Sequence, residues 1–267
     1  LKRFKALGHP LTNLPDKISI QLNDTHPTLS IVEMMRLLLD EEGLEWETAW
    51  SITQRVHSYT NHTVLPEALE HWKVSLMENL LPRHMKLVYD INFRFLKEVE
   101  KKWPGDVERL ARLSLIQEGP EKAVRMAHLA IVGSHKVNGV AELHSELLKS
   151  KVFPDFYELY TSKFLNVTNG VTPRRWLHQA NPGLSALITQ ALKSDDWKSN
   201  LSLVSELKKF AEDEKFQRKW YNIKKKNKQR VAEYVKEKFG ITIYPDALFD
   251  IQIKRFHEYK RQLLNIL

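Results

Sequence analysis

The sequence predicts an α/β fold, because short strand-like runs of apolar residues alternate along the chain with long helical patterns. Four runs are predicted strands, and polar residues followed by a helix come after each of them: residues 17–22, 129–132, 164–167 and 248–253. In open parallel sheets, ligands bind just beyond the carboxyl ends of the strands. The functional residues are therefore expected at the ends of these runs.

A long amphipathic helix is predicted over residues 80–102. One face of this helix carries apolar residues and a histidine at spacings of three and four, namely Leu80, His84, Leu87, Ile91, Phe95 and Val99. The Trp-Pro-Gly sequence at residues 103–105 predicts its end. We interpret this helix as scaffold.

A domain boundary is predicted at Asn169-Gly170, a dipeptide typical of tight turns. Just beyond it, Thr172 is predicted to cap a helix whose first residue is Pro173. The predicted domains are therefore residues 1–169 and residues 170–267.

The net charge of the 267-residue chain is +8, from 41 Lys and Arg against 33 Asp and Glu. Residues 215–238 alone contain ten Lys or Arg and two Glu, a balance that equals the whole excess. Apolar residues recur in this stretch at helical spacing, which predicts an amphipathic helix with a basic outer face. Because no nucleic-acid-binding motif accompanies it, we interpret this face as solvated.

Several classes of function are excluded by what the sequence lacks. It has no cysteine, which removes disulfides, thiolate metal sites and thiol catalysis and fits a reducing, cytoplasmic location. It contains no His-Glu-x-x-His pair, so we expect no metal. It contains no Gly-rich loop that would hold a nucleotide phosphate and no Gly-x-Ser-x-Gly elbow typical of serine hydrolases. No apolar run approaches the roughly 20 residues of a membrane span. Neither a membrane nor a nucleic acid is an expected partner.

Two polar clusters lie in the first half of the chain. Residues 21–27 (QLNDTHP) follow the first predicted strand and suit a hydroxyl-rich ligand, but helix capping by Asp24 or Thr25 beside a structural His26 is an alternative. Residues 57–67 (HSYTNHTVLPE) place hydrogen-bond donors and acceptors close together between a predicted helix and a second predicted helix that is started by a proline. For this second cluster, a hydrogen-bonded buried turn without a ligand is the alternative.

A third cluster spans residues 167–176, at the predicted domain boundary. Gly170 permits a positive φ, and Asn169 beside it can direct its amide into a cleft between domains. An ordinary hinge turn followed by a capped helix is the alternative.

The fourth cluster, residues 251–261, has the strongest physical argument for a ligand. A predicted strand ends there in four cations and a histidine at the start of a predicted helix, namely Lys254, Arg255, His257, Lys260 and Arg261. Cations are unfavourable at a helix N-terminus unless an anion is present. Arg255 offers a bidentate fork and Lys260 a point charge, a combination suited to phosphate. A solvated helix N-terminus is the alternative.

Five segments together resemble the glycogen/starch (α-glucan) phosphorylase family, in the family's order: QLNDTHP at 21–27, YTNHTVLPEALE at 59–70, GSHKVNGV at 133–140, TNGVTPRRW at 168–176 and KRFHEYKR at 254–261. The resemblance covers essentially the whole chain, as the middle portion of such an enzyme. It implies two Rossmann-like domains of the GT-B glycosyltransferase type, with an active site in the cleft between them. The chain would contain the end of the first domain and the start of the second.

The resemblance implies phosphorolysis, in which orthophosphate cleaves the terminal α-1,4-linked glucosyl unit of a glucan and releases α-glucose 1-phosphate with retention. It implies pyridoxal 5'-phosphate as the cofactor, glycogen or another α-glucan as substrate, and an allosteric homodimer. A nucleotide-sugar glucosyltransferase of the glycogen synthase type is the rival with the same fold. A non-enzymatic binding segment built on residues 215–238 is the second rival.

The matching motifs also imply roles for single residues at the phosphate end of the site. Arg255 and Lys260 would hold the substrate phosphate and neighbour the cofactor phosphate, with Lys254 close by. His257 would be one of the polar residues that line the cleft. These cations would face the negative phosphate.

At the sugar end, the resemblance implies that His62 contacts the glucosyl unit and stabilises its oxocarbenium-like transition state. Asn169 would hydrogen-bond the sugar hydroxyls. Asp24 and His26 would line the pocket beside the anomeric carbon. Carbonyl and carboxylate oxygens would thus face the developing positive charge on the sugar.

The sequence departs from the family pattern mildly at Phe256, where Ile is usual, and at Ser58, where Ala is common. Because the chain starts at Leu1 rather than Met, we expect a segment of a longer protein. The cofactor's Schiff-base lysine is expected beyond Leu267, and a regulatory phosphorylation segment before Leu1. The segment alone is therefore expected to be inactive and not to bind the cofactor covalently.

Overall fold

A computed structural model describes residues 1–257, 260–265 and 267 of the chain. The chain divides into two compact units, Leu1–Asn169 and Gly170–Leu267. Within the described residues, all β-strands lie in the first unit.

The first unit alternates helices and strands. Its α-helices are α1 (Lys2–Ala6), α2 (Leu14–Lys17), α3 (Leu29–Arg36), α4 (Trp46–Val56), α5 (Val74–Leu80), α6 (Pro82–Lys102), α7 (Val107–Leu113), α8 (Met126–Val132), α9 (Glu142–Leu147) and α10 (Pro154–Leu159). Its strands are β1 (Ile20–Asn23), β2 (His57–Thr60), β3 (His71–Lys73), β4 (Ile116–Gln117), β5 (Ala123–Arg125), β6 (Val137–Gly139) and β7 (Phe164–Asn166). Shorter 3₁₀ or π segments cover Leu11–Asn13, Leu37–Glu41, Pro66–Ala68, Leu148–Val152 and Thr161–Lys163.

A four-stranded parallel sheet in the order β1-β2-β6-β7 forms the centre of this unit. Leu22, Tyr59, Val137 and Phe164 stand in register across the four strands, and all four are buried. Because strand side chains alternate between faces, this row belongs to the apolar core, which also contains helix α8. A separate antiparallel sheet has the order β3-β5-β4.

The predicted α/β class is confirmed, and the sheet is parallel. The strand predicted at 17–22 overlaps β1, which begins only at Ile20 and ends at Asn23, because Lys17 still belongs to α2. The strand predicted at 164–167 contains β7. The strand predicted at 129–132 is wrong, since these residues end helix α8, where six of seven side chains are buried. A short apolar run fits a buried strand or a buried helix, and periodicity does not separate the two.

The two central strands, β2 and β6, escape the sequence-based prediction. The first four residues of the polar cluster at 57–67 form β2, so the alternative of a buried turn without a ligand is wrong over them. Both strands interleave polar residues such as Ser58 and Asn138 with buried ones. Buried parallel strands usually have continuous apolar sequences. These two do not, so they can be recognised as strands only from their pairing with neighbouring strands.

Helix α6 confirms the predicted scaffold helix and ends before Trp103. Its predicted first residue is wrong, because Leu80 ends α5 instead and is 64% exposed. The predicted face is otherwise partly or fully buried: Leu87, Ile91, Phe95 and Val99 are in the core, and His84 is half-buried.

The second unit contains α11 (Pro182–Leu192), α12 (Glu214–Phe239), a π segment Arg174–Gln179 and 3₁₀ segments Asp196–Lys198, Leu201–Phe210 and Gln262–Asn265. The helical segment begins at Pro173, as predicted, and continues as the π segment Arg174–Gln179. The carbonyl of Thr172 accepts from the Trp176 N–H (3.0 Å), which is the first backbone bond of this segment.

Helix α12 confirms the predicted basic helix. The Asp213 carboxylate accepts from the backbone N–H groups of Lys215 and Phe216, and Gly240 ends the helix at φ 70°. Positive φ is readily available to glycine, which makes it the usual residue at this position. Of the predicted apolar face, Val231 and Tyr234 are exposed and the remainder is half-buried.

The strand predicted at residues 248–253 does not form. Leu248, Ile251 and Ile253 are all exposed. A strand needs a hydrogen-bonded neighbour for its backbone groups, and the described part of the second unit contains no strand that could provide one.

Candidate active site

The carboxyl edge of the parallel sheet gathers four of the predicted site residues. Its strands end at Asn23, Thr60, Gly139 and Asn166. Three polar segments leave the sheet there and carry, respectively, Asp24 with His26, then His62, then Asn169. Ligands of parallel sheets bind at this edge, so the structure places these four residues where the fold class predicts a ligand.

Asp24 turns the chain sharply at the end of β1. Its φ of 65° lies in the left-handed region, which is uncommon for a residue other than glycine. The Asp24 N–H donates to the carbonyl of Thr60 (2.9 Å), and its carboxylate Oδ1 accepts from the N–H of Thr25 (2.7 Å). Helix α3 has Thr28 as its N-cap and no side-chain capping bond. The alternative in which Asp24 or Thr25 caps this helix is therefore wrong.

His62 lies two residues beyond the end of β2, and its side chain is linked to β1. Its Nε2 is 2.6 Å from Oδ1 of Asn23. The residue is exposed, so the ring is accessible at the edge while one nitrogen is held by the neighbouring strand. This arrangement leaves the ring oriented and able to contact a ligand.

His26 is held beside an acidic residue that the sequence reasoning did not select. Its Nδ1 lies 3.5 Å from Oε2 of Glu70, and its side chain is 76% exposed. The same carboxylate accepts from the Thr25 hydroxyl (2.7 Å) and from Nε1 of Trp72 (2.9 Å). Glu70 thus ties the segment after β1 to the start of β3. Its place within the motif at 59–70 is the signal that could have identified it.

Asn169 ends the first unit at the same edge. Its N–H donates to the carbonyl of Val140, just beyond β6 (2.9 Å). The residue is exposed, which leaves its carboxamide accessible. Gly170 does not adopt a positive φ, so the turn there does not depend on the conformational freedom of glycine.

The predicted phosphate residues belong to the second unit. Lys254, Arg255 and His257 are exposed, and Lys260 is half-buried with its Nζ donating to the carbonyl of Arg255 (2.6 Å). The N–H of Lys260 donates to the carbonyl of His257 (3.1 Å).

Neither the strand nor the α-helix predicted around these cations is present in the described residues, and Glu258 and Tyr259 lie outside them. In the described residues no helix N-terminus reinforces this anion site, and the part of the prediction that falls on Glu258 and Tyr259 lies outside them. The argument for phosphate at this segment depends on the cationic side chains alone.

Two general findings bear on the kind of site. In the part of the chain that the structure describes, no three His, Asp or Glu side chains lie together as metal ligands would. Over the same residues, no helix is both long and apolar enough to cross a membrane.

Comparison with known proteins gives a family for the whole chain. A family model described as carbohydrate phosphorylase matches residues 1–267. Glycogen phosphorylase 2 of Dictyostelium discoideum is 56% identical over 267 residues, which is 100% of this chain and 27% of that protein. Glycogen phosphorylase of Saccharomyces cerevisiae is 53% identical, with 100% of this chain and 31% of that protein covered. The muscle form of Bos taurus is 54% identical, with 99% and 32% covered.

The chain therefore spans 27% to 32% of the length of these relatives. The matched region includes all five motifs on which the resemblance depends and the whole carboxyl edge described above. The resemblance is confirmed, and the chain belongs to the carbohydrate phosphorylase family.

Proposed function

We propose that this chain is the middle segment of an α-glucan phosphorylase, which uses orthophosphate to release α-glucose 1-phosphate from terminal α-1,4-glucosyl units with retention. The observation that carries the proposal is the 53–56% identity to proteins named glycogen phosphorylase along the whole chain. The polar edge of the parallel sheet supports it, because it offers the hydrogen-bonding groups that a sugar requires.

In this proposal the carboxyl edge holds the glucosyl unit. Asn169 hydrogen-bonds sugar hydroxyls, and Asp24 and His26 line the pocket beside the anomeric carbon. The His62 ring, with Nε2 directed to Asn23, contacts the sugar as positive charge develops on it. Fixed dipoles and a carboxylate stabilise such a transition state because they need no reorganisation when the charge appears.

The second unit supplies the phosphate-binding cations. Arg255 and Lys260 hold the substrate phosphate, Lys254 adds a third positive charge, and His257 lines the site. The donor chemistry of this set fits phosphate groups, and the same two residues, Arg255 and Lys260, would neighbour the phosphate of pyridoxal 5'-phosphate. When bound, that cofactor supplies a phosphate that exchanges a proton with the substrate phosphate.

The remaining features of the proposal concern the complete protein. The units Leu1–Asn169 and Gly170–Leu267 are assigned to the end of the first and the start of the second Rossmann-like domain of a GT-B enzyme. The complete protein is proposed to be a cytoplasmic, allosteric homodimer that acts on glycogen or another α-glucan.

The test uses a full-length phosphorylase that contains this chain. With glycogen and orthophosphate, we expect release of glucose 1-phosphate, and none when orthophosphate is omitted. Transfer of glucose from a nucleotide-glucose donor, with no reaction of orthophosphate, would instead support the glycogen synthase type of enzyme. The 267-residue chain alone is expected to release no glucose 1-phosphate under the same conditions, and release by the chain alone would contradict that expectation.

A further inference from the structure

The turn that carries His62 is set by the buried side chain before it. Asn61 is completely buried at the end of β2. Its Nδ2 donates to the hydroxyl of Tyr59 (3.0 Å), and its Oδ1 accepts from the backbone N–H of Thr63 (2.9 Å). The second bond closes a turn around His62, as Asn side chains commonly do. The orientation of the Asn61 carboxamide therefore determines how His62 leaves the sheet.

A second histidine contacts the same carboxamide. The ring Nε2 of His144, on helix α9, lies 3.0 Å from Oδ1 of Asn61. On the other side of the ring, Nδ1 accepts from the backbone N–H of Val140 (3.0 Å). Because a backbone N–H can only donate, Nδ1 carries no proton, and the neutral ring donates from Nε2 to Asn61. Burial lowers the pKa of His144, and the nearby His62 lowers it further, so the neutral ring is favoured.

Helix α9 can bring this ring to the sheet because β6 ends in a glycine. A Cβ placed on Gly139 would lie 2.2 Å from Oγ and 2.8 Å from Cα of Ser145, the residue after His144. Such distances leave no room for a side chain. The Ser145 hydroxyl is also within hydrogen-bond distance of the carbonyl of Ala141 (2.9 Å) and of Oδ1 of Asn166 (3.0 Å). The close approach of Ser145 to Gly139 and the bonds of the Ser145 hydroxyl together fix the position of α9, and therefore the position of the His144 ring.

We propose that His144 is a positioning residue for His62. The neutral His144 ring holds the Asn61 carboxamide in one orientation, and that carboxamide holds the 61–63 turn so that His62 meets Asn23 and the sugar. The inference rests on the proposed function, because it assigns His62 to the sugar.

Two substitutions of similar size distinguish the hydrogen bond made by Nδ1 of His144 from the one made by Nε2. In His144→Gln, the side-chain amide reaches the position of ring Nε2 and can still donate to Asn61. In His144→Asn, the side-chain oxygen replaces Nδ1 as acceptor for Val140, but the side chain is too short to reach Asn61. A purely structural role in fixing α9 would favour the Asn variant, whereas positioning of His62 favours the Gln variant.

Both variants are made in a full-length phosphorylase that contains this chain. We expect kcat of the Gln variant to stay within about threefold of the unsubstituted enzyme. For the Asn variant, we expect kcat to fall about tenfold or more with KM for orthophosphate unchanged, because small misplacements of a reacting group reduce the chemical step. In a His62→Ala background, the Asn substitution is expected to cause no further loss, since the group it positions is gone.

Equal kcat values for the Gln and Asn variants would overturn the inference, and so would an undiminished effect of the Asn substitution in the His62→Ala background. Failure of the proposed function would show differently, as an absence of orthophosphate-dependent glucose 1-phosphate release from the unsubstituted enzyme.

Discussion

The carboxyl edge of the parallel sheet and the cation segment at residues 254–261 both contain residues that sequence reasoning selects, but they hold them in different ways. At the edge, Asp24 is bonded to the carbonyl of Thr60 and His62 to the side chain of Asn23, so each is tied to a neighbouring strand. In the cation segment, Lys254 and Arg255 are exposed and no strand or α-helix supports them in the described residues.

The two regions should therefore respond differently to substitution. Edge residues are joined to the sheet by a network, so changing the residues that support them should affect both stability and activity. Lys254 and Arg255 have the charge for their proposed task and exposed side chains, so changing them should affect activity and leave stability intact. Activity and unfolding midpoint, measured on the same variant, test this contrast.

The largest effect is expected from Arg255→Gln in a full-length phosphorylase that contains this chain. Loss of the guanidinium fork should reduce kcat/KM for orthophosphate by about 10²–10³, the range seen when one group that stabilises a charged transition state is removed. The thermal unfolding midpoint should not change, because the side chain is exposed. Arg261→Gln, an exposed arginine in the same segment without a proposed role, is the matched control and should retain activity. Equal losses in both variants would mean that net charge alone matters.

A somewhat smaller loss is expected from His62→Ala. Removing a positioned group that assists the chemical step typically reduces kcat by about 10² or more, and here the ring also bridges to Asn23. We therefore expect lower kcat together with a small decrease in the unfolding midpoint. His9→Ala, at an exposed histidine whose ring contacts Phe4 (5.6 Å between ring centroids), is the control and should leave kcat unchanged. Full activity of the His62 variant would contradict the proposal that His62 contacts the glucosyl unit.

The framework of the edge is tested by Gly139→Ala in the chain itself. The added Cβ would collide with Oγ and Cα of Ser145, and overpacking of this kind costs about 1–3 kcal/mol of unfolding free energy. Gly170→Ala is the control, because nothing lies within 4 Å of its added Cβ and its φ is not positive. Urea unfolding of both variants gives the comparison. Equal midpoints would show that α9 can shift away from β6 without cost.

The fold class and the location of Asp24, His26 and Asn169 beyond strand ends could be predicted from the sequence, because polar residues after a strand mark the carboxyl edge of a parallel sheet. His62 could not be located in this way, because β2 was not predicted. Single strands were harder to predict. The run at 129–132 is apolar enough for a strand but ends the buried helix α8, while β2 contains the polar residues of a turn and yet lies at the centre of the sheet. In both cases tertiary packing outweighs the local pattern.

The supporting contacts of the site could not be predicted. Asn61 and His144 are 83 positions apart, and no local pattern relates residues at that distance. Glu70 likewise reaches Thr25 across 45 positions. The roles proposed for single residues come from the motifs, whereas the hydrogen bonds that orient these residues exist only once the strands are paired.

The smallest effect is expected on the outer face of α12, which accounts for the net charge. Arg218 and Lys226 are exposed there. Reversing both charges, in Arg218→Glu with Lys226→Glu, should leave kcat/KM unchanged and shift the unfolding free energy by no more than about 0.5 kcal/mol, as is usual for surface positions. If this face bound nucleic acid, the unsubstituted protein would bind duplex DNA with an affinity that falls steeply with salt, and the double variant would lose that binding. Neither behaviour is expected, because the cations proposed to bind phosphate for the reaction are Lys254, Arg255 and Lys260, outside this helix.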